Sequence, residues 1–120
     1  MASRYNTASQ VLEDVADAVG FGSDSRPISV TSVDIFGSQP LKVATTWGDP
    51  VAVELLLDAG APIDAKHEDG DTALIHAIRM GEFTVARLLI ARGANRDIRN
   101  DEGKLARDYC WEGEWKGLGL

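Results

Sequence analysis

Between Glu68 and Glu82 the chain reads EDGDTALIHAIRMGE, and this short stretch gathers the residue types that chemistry uses: Glu68, Asp69, Asp71, Thr72, His76, Arg79 and Glu82. Two chemistries suit such a set. His76 with Cys110, the single thiol of the chain, would make a base and a nucleophile, provided the fold holds them together. His67, Glu68, Asp69 and Asp71 are oxygen and nitrogen ligands close in sequence, but their spacing matches neither a calcium loop nor a zinc pattern. The chain has no phosphate-cradling glycine loop and no G-x-S-x-G. If a repeating architecture requires the same residues, architecture is the simpler account.

Such an architecture is present. Gly37, Gly70 and Gly103 stand 33 residues apart. The same step carries Leu41 to Leu74, Ala44 to Ala77, Gly48 to Gly81, Leu55-Leu56 to Leu88-Leu89, Gly60-Ala61 to Gly93-Ala94 and Asp64 to Asp97. Each unit predicts a turn followed by two short antiparallel helices. Thr72 is placed to cap a helix over Ala73–Met80 that Gly81 ends, because a hydroxyl at that place accepts a backbone N–H. Asp49 and Pro50 stand at the N-cap and first position of the next helix type, where proline's missing N–H costs nothing. Val53, Leu56 and Leu57 share a helical face, and Gly60 and Gly93 are stops that admit a left-handed backbone. The intervening PIDAKHEDGD and NRDIRNDEGK are polar and rich in turn formers. Neither helix pair buries its apolar face alone, so the units must stack. In this frame His76 is a half-buried histidine bonded to backbone, and Cys110 occupies a small-residue core position.

Two full units need caps. NTASQVLEDVADAVGFG predicts an N-terminal helix: Thr7 and Gln10 have capping-box spacing, Val11, Leu12, Val15 and Val19 form a stripe, and Gly20 ends it. DSRPISVTSVDIF reads as an extended connector with Ile28, Val30 and Ser32 alternating. Ala106–Trp111 would close the stack, with Arg107, Asp108 and Glu112 facing water. The expected organisation is a cap and connector over 1–32 and repeats over 33–120, divided as 37–69, 70–102 and a partial 103–120.

Bulk properties narrow the partner. With 120 residues and a formal net charge of −7, the chain is a single domain that repels nucleic acid and anionic membranes. No apolar run approaches the roughly 18 residues of a spanning helix, and the N-terminus lacks the apolar core of a secretory signal. One cysteine allows no internal disulfide. A cytoplasmic protein, monomeric when free and carrying no metal or cofactor, is the expectation.

The repeat resembles the ankyrin family, whose units read Gly-x-Thr-Pro-Leu-His-x-Ala, then a glycine, then Leu-Leu and Gly-Ala. GDTALIHA carries Gly70, Thr72, Leu74 and Ala77, and GSQPLKVA carries Gly37, Pro40, Leu41 and Ala44. Lys42 and Ile75 stand where the family has histidine, and Arg107 stands in the leucine position of the last unit. The resemblance implies an all-α solenoid and a non-enzymatic role in protein binding, through turn tips and first-helix ends. Carried over by position, the partner-binding residues are Ile35, Phe36 and Ser38, then Glu68, Asp69 and Asp71, then Asp101 and Glu102 at the turns. Thr46, Trp47, Arg79, Met80, Trp111 and Glu112 follow at helix ends, and Lys66 and Arg99 precede the turns. Trp47 and Met80, one repeat apart, would lie side by side as apolar anchors inside an acidic rim. Small acidic ankyrin-like chains resemble the immunity proteins that occlude bacterial toxins, so a basic toxin is the first partner expected. An adaptor for an endogenous enzyme or transcription factor is the alternative; a self-associating oligomer and a small enzyme are further readings.

Overall fold

A computed structural model of the chain describes residues 5–18, 28–32, 38–67, 70–110 and 117. Within them lie five α-helices: α1 (Ala8–Ala18), α2 (Pro40–Trp47), α3 (Pro50–Asp58), α4 (Ala73–Arg79) and α5 (Phe83–Ala91). A 3₁₀ turn over Ala106–Tyr109 follows. Among the described residues there is no strand. Helices α2 and α3 pack as one pair and α4 and α5 as the next; α2 lies against α4, α3 against α5, and the 3₁₀ turn against α4. Helix α1 covers the open side of α2 and α3. The chain is thus an all-helical stack with a cap.

The local reasons are visible at the starts of α1, α3 and α4. Asp49 Oδ1 accepts from the backbone N–H of Val51 and Ala52 at 3.0 and 3.2 Å, with Pro50 behind it. Thr72 Oγ1 accepts from Ile75 N at 3.3 Å. At α1 the capping box closes in both directions: Gln10 N donates to Thr7 Oγ1 at 3.3 Å, and Thr7 N donates to Gln10 Oε1 at 3.2 Å. Each satisfied N-cap stabilises its helix by about 1 kcal/mol.

Burial follows the 33-residue step. Leu41 and Leu74, Ala44 and Ala77, Leu56 and Leu89, and Ala61 and Ala94 are all buried. One pair shows how the volume is conserved between units. Ala52 and Val53 in the first become Val85 and Ala86 in the second, all four fully buried. The large and small side chains exchange places, which a close-packed interior tolerates because the total is unchanged. Burying one leucine here contributes about 1.5–3 kcal/mol. Val11 and Val15 extend the core into the cap.

Two expectations are corrected. Residues 28–32 form a turn, not an extended run: Ser32 N donates to Ser29 O at 3.1 Å, and Ser29 N donates to Ser32 Oγ at 2.9 Å. Serine hydroxyls offer the backbone this local alternative. Ile28 is nevertheless buried. The closing helix is shorter than Ala106–Trp111, because Cys110 is already extended, with φ −84° and ψ 149°. Leu105 stands where the preceding unit has its capping Thr72, and it has no hydroxyl; Asp108 Oδ2 instead reaches back to accept from Leu105 N at 2.8 Å. Arg107 and Asp108 are exposed as expected. His76 is half-buried as expected, and its Nε2 meets the side chain of Thr46 at 2.7 Å. Val19, Gly20, Trp111 and Glu112 lie outside the described residues.

Candidate partner-binding face

The face is built from two hairpin turns and the helix ends beside them. His67 N donates to Asp71 O and Gly70 N to His67 O, both at 2.9 Å. One repeat later Asn100 N donates to Lys104 O at 3.0 Å, and Gly103 N to Asn100 O at 2.9 Å. Gly70 and Gly103 hold φ of 73° and 75°, the left-handed region glycine enters without steric cost. These turns deliver Asp71 and Lys104 to equivalent places, yet the two side chains go opposite ways.

Asp71 turns inward. It is only 3% exposed. Its Oδ2 accepts from Arg79 Nη1 at 2.6 Å, and its Oδ1 accepts from Asn100 Nδ2 at 2.8 Å. Asn100 also donates to the Tyr109 hydroxyl at 2.7 Å, while its Oδ1 accepts from Glu102 N and Lys104 N at 3.0 Å each. The Arg79 guanidinium lies over the Tyr109 ring, 5.0 Å from its centroid, and Lys104 Nζ lies 5.5 Å from the same centroid. The hydrogen bond to Asp71 chiefly holds Arg79 more firmly protonated than an ordinary arginine; burial opposes this, and the Asp71 charge adds to it. A charge-assisted pair with one buried partner gains strength from the lower local dielectric.

The first-helix ends are tied across the repeat boundary. Thr46 Oγ1 lies 3.0 Å from Lys42 O and 2.7 Å from His76 Nε2. A hydroxyl has one proton, so both bonds coexist when Thr46 donates to the carbonyl and the imidazole Nε2–H donates to Thr46. His76, the leading candidate for a catalytic base, is thereby engaged as a strut between α2 and α4.

The sequence-derived residues divide into four groups. Thr46, Lys66, Arg79, Met80, Arg99, Asp101 and Glu102 are exposed, and Met80 is 50% exposed, the larger value of the two exposed large hydrophobics among the described residues. Ser38 and Asp71 are buried at 3% each, so their expected outward projection at turn tips is corrected; Ser38 Oγ accepts from Lys42 Nζ at 3.4 Å. Ile35, Phe36, Glu68, Asp69, Trp111 and Glu112 lie outside the described residues. Trp47 is half-buried and stacks on Tyr5 of the cap segment, ring centroids 6.3 Å apart and planes 12° apart. It belongs to the cap junction, and Met80 stands open without it. The residue that sequence reasoning missed is Tyr109. The 33-residue step from His76 to Tyr109 was the available signal.

No helix among the described residues is long and apolar enough to cross a membrane. Comparison with known proteins agrees with the repeat. The family model for ankyrin repeats in three copies matches residues 2–100. The chain is 36% identical over 92 residues to the human protein phosphatase 1 regulatory subunit 27, covering 77% of this chain and 60% of that protein. It is 31% identical over 102 residues to a putative ankyrin repeat-containing protein of Treponema pallidum, covering 84% of this chain and 34% of that protein. With the E3 ubiquitin-protein ligase hecd-1 of Caenorhabditis elegans the identity is 32% over 101 residues, but only 4% of that protein is covered. The chain therefore spans at most 60% of the length of these relatives. Its helix pairs, its glycine-punctuated 33-residue register and these matches lead to one conclusion: the chain belongs to the ankyrin-repeat family.

Proposed function

We propose that the chain is a non-catalytic binding module that regulates another protein by holding it against the face of Thr46, Arg79, Met80, Arg99 and Lys104. The supporting observation is Met80. It is a large apolar side chain left 50% exposed at the end of α4, beside the exposed Arg79, and it is not among the side chains packed against the core. An apolar centre with a polar rim is the anatomy of a protein interface. A relative named as a phosphatase regulatory subunit favours regulation of an enzyme by a partner that does no chemistry itself. Two of the groups that suggested chemistry have structural employment: His76 on Thr46, and Asp71 on Arg79 and Asn100.

The toxin-immunity reading rests on the chain's net charge of −7 and its small size. It needs an acidic contact face. Asp71 does not contribute to one, because it is buried and neutralised by Arg79.

The test is capture of a partner from lysate of the source by the immobilised chain, with a Met80→Asp variant as control. A partner held by the parent and released by the variant, both folded by circular dichroism, supports the reading. A chain that captures no protein, or a variant that captures equally well, sinks it. If the captured partner is a basic toxin, immunity is the specific function; if it is a cellular enzyme, regulation is.

A further inference from the structure

Around Tyr109 the hydrogen-bond bookkeeping is unbalanced in one direction. The buried acceptors are occupied: both Asp71 oxygens are taken by Arg79 and Asn100, and Asn100 Oδ1 is taken by the N–H groups of Glu102 and Lys104. Donors are left over. The Tyr109 hydroxyl accepts from Asn100, which leaves its own proton unspent among the described residues. Arg79 has five N–H donors, and one nitrogen, Nη1, reaches Asp71. Lys104 carries three, with Glu102 at 4.0 Å as its ion-pair partner. Arg99, on the same turn, folds back to donate to Gly103 O at 2.8 Å and keeps its charge at the surface.

The two cations share one aromatic ring. The negative face of a phenol attracts both, and the buried Asp71 offsets part of their mutual repulsion from within. Asp71 cannot itself be reached from outside, since its side chain is 4% exposed, whereas those of Arg79 and Lys104 are 34% and 50% exposed. The outward-facing result is a cluster of surplus donors on Arg79, which precedes Met80, and on Lys104, in a chain whose net charge is −7. Asp101 and Glu102 are the acids of this turn. An ionised carboxylate is the complementary group: it accepts only, and it presents two oxygens.

Resting on the binding-module reading above, we infer that Arg79, Lys104 and Tyr109 anchor an aspartate or glutamate side chain of the partner protein. The partner segment that docks here is acidic, and Met80 covers the apolar residue next to it. Over the described residues Arg79, Arg99 and Lys104 balance Asp71, Asp101 and Glu102, so this face is neutral in a chain whose net charge is −7. Net charge decides which molecules approach from a distance, and local complementarity decides which one stays.

The experiment is a nuclear magnetic resonance titration of the full chain with a short oligoglutamate peptide, following the Tyr109 ring and Arg79 Nε–H signals. An oligoarginine peptide and a single-stranded oligonucleotide serve as comparison probes. Oligoglutamate is expected to move both signals, with affinity falling as salt is added. Lys104→Glu should weaken that binding by about tenfold or more, Tyr109→Phe should weaken it while keeping the ring, and Lys104→Arg should preserve it. The inference is overturned if oligoglutamate leaves these signals unmoved, if Lys104→Glu binds it as well as the parent, or if either comparison probe moves them more tightly. The two readings fail separately. A chain that captures no protein defeats the binding module, while a captured partner held equally by parent and Lys104→Glu defeats only the carboxylate anchor.

Discussion

Asp71 and Arg79 stand on opposite ends of the segment that joins the His67–Asp71 turn to the end of α4, and their side chains meet at 2.6 Å. The pair closes a helix end onto the turn that precedes it. Asn100, from the next unit, completes the site by donating to the second carboxylate oxygen. Removing Asp71 strands two donors, one of them in buried surroundings. Asp71→Ala is expected to lower unfolding stability by about 1–3 kcal/mol, whereas Lys104→Ala, an exposed change, should stay within about 0.5 kcal/mol. Urea denaturation of both variants checks this, and equal midpoints would show that the inward carboxylate is dispensable.

Two glycines with similar backbones should respond differently to alanine. Gly70 and Gly93 have φ of 73° and 90°, so both variants carry left-handed strain of about 1–2 kcal/mol. A Cβ at Gly93 meets open space, while one at Gly70 comes within 2.7 Å of the backbone nitrogen of Asp101. Gly70→Ala must therefore move the neighbouring turn. Its loss of stability is expected to be at least about twice that of Gly93→Ala, read from thermal unfolding of the pair.

Trp47 and Met80 are one repeat apart and do different things. Trp47 is stacked on Tyr5, so Trp47→Ala should destabilise the cap junction by about 2 kcal/mol. Met80→Ala should leave stability within about 0.5 kcal/mol and reduce partner capture. Denaturation midpoints set beside capture yields separate the two roles; a Met80 variant that loses stability as Trp47→Ala does would place Met80 in the scaffold.

The Thr46–His76 bond at 2.7 Å joins adjacent repeats. A double-mutant cycle with Thr46→Val and His76→Phe is expected to show a coupling of about 0.5–1.5 kcal/mol. Additive effects would mean that the two side chains are neighbours without being partners.

Much of the scaffold was legible because it depends on short-range rules. The capping pairs Asp49–Val51 and Thr7–Gln10 involve residues two or three apart, and the core positions recur at a fixed step. Residues 28–32 of the connector were misread because alternation of Ile28, Val30 and Ser32 suggested extension, whereas Ser29 and Ser32 bend the chain through their own hydroxyls. The closing helix was overextended because Leu105 removes the hydroxyl that caps the unit before it.

The candidate face was only half legible. Its backbone follows from the repeat, so Met80, Arg79 and Arg99 were found by position. Whether a side chain at a turn points to solvent or inward depends on what the next unit brings to it. Asp71 is drawn in by Asn100, 29 residues away; Thr46 meets His76, 30 residues away; Trp47 is drawn to Tyr5. A 33-residue period specifies where helices start and stop and which positions are apolar, because those follow from backbone conformation and burial within a unit. It carries no record of pairings between polar side chains of different units, whose energy arises only once the units stack. The helical repeat was therefore written in the chain, and the donor-rich surface around Tyr109 came into being with the tertiary structure.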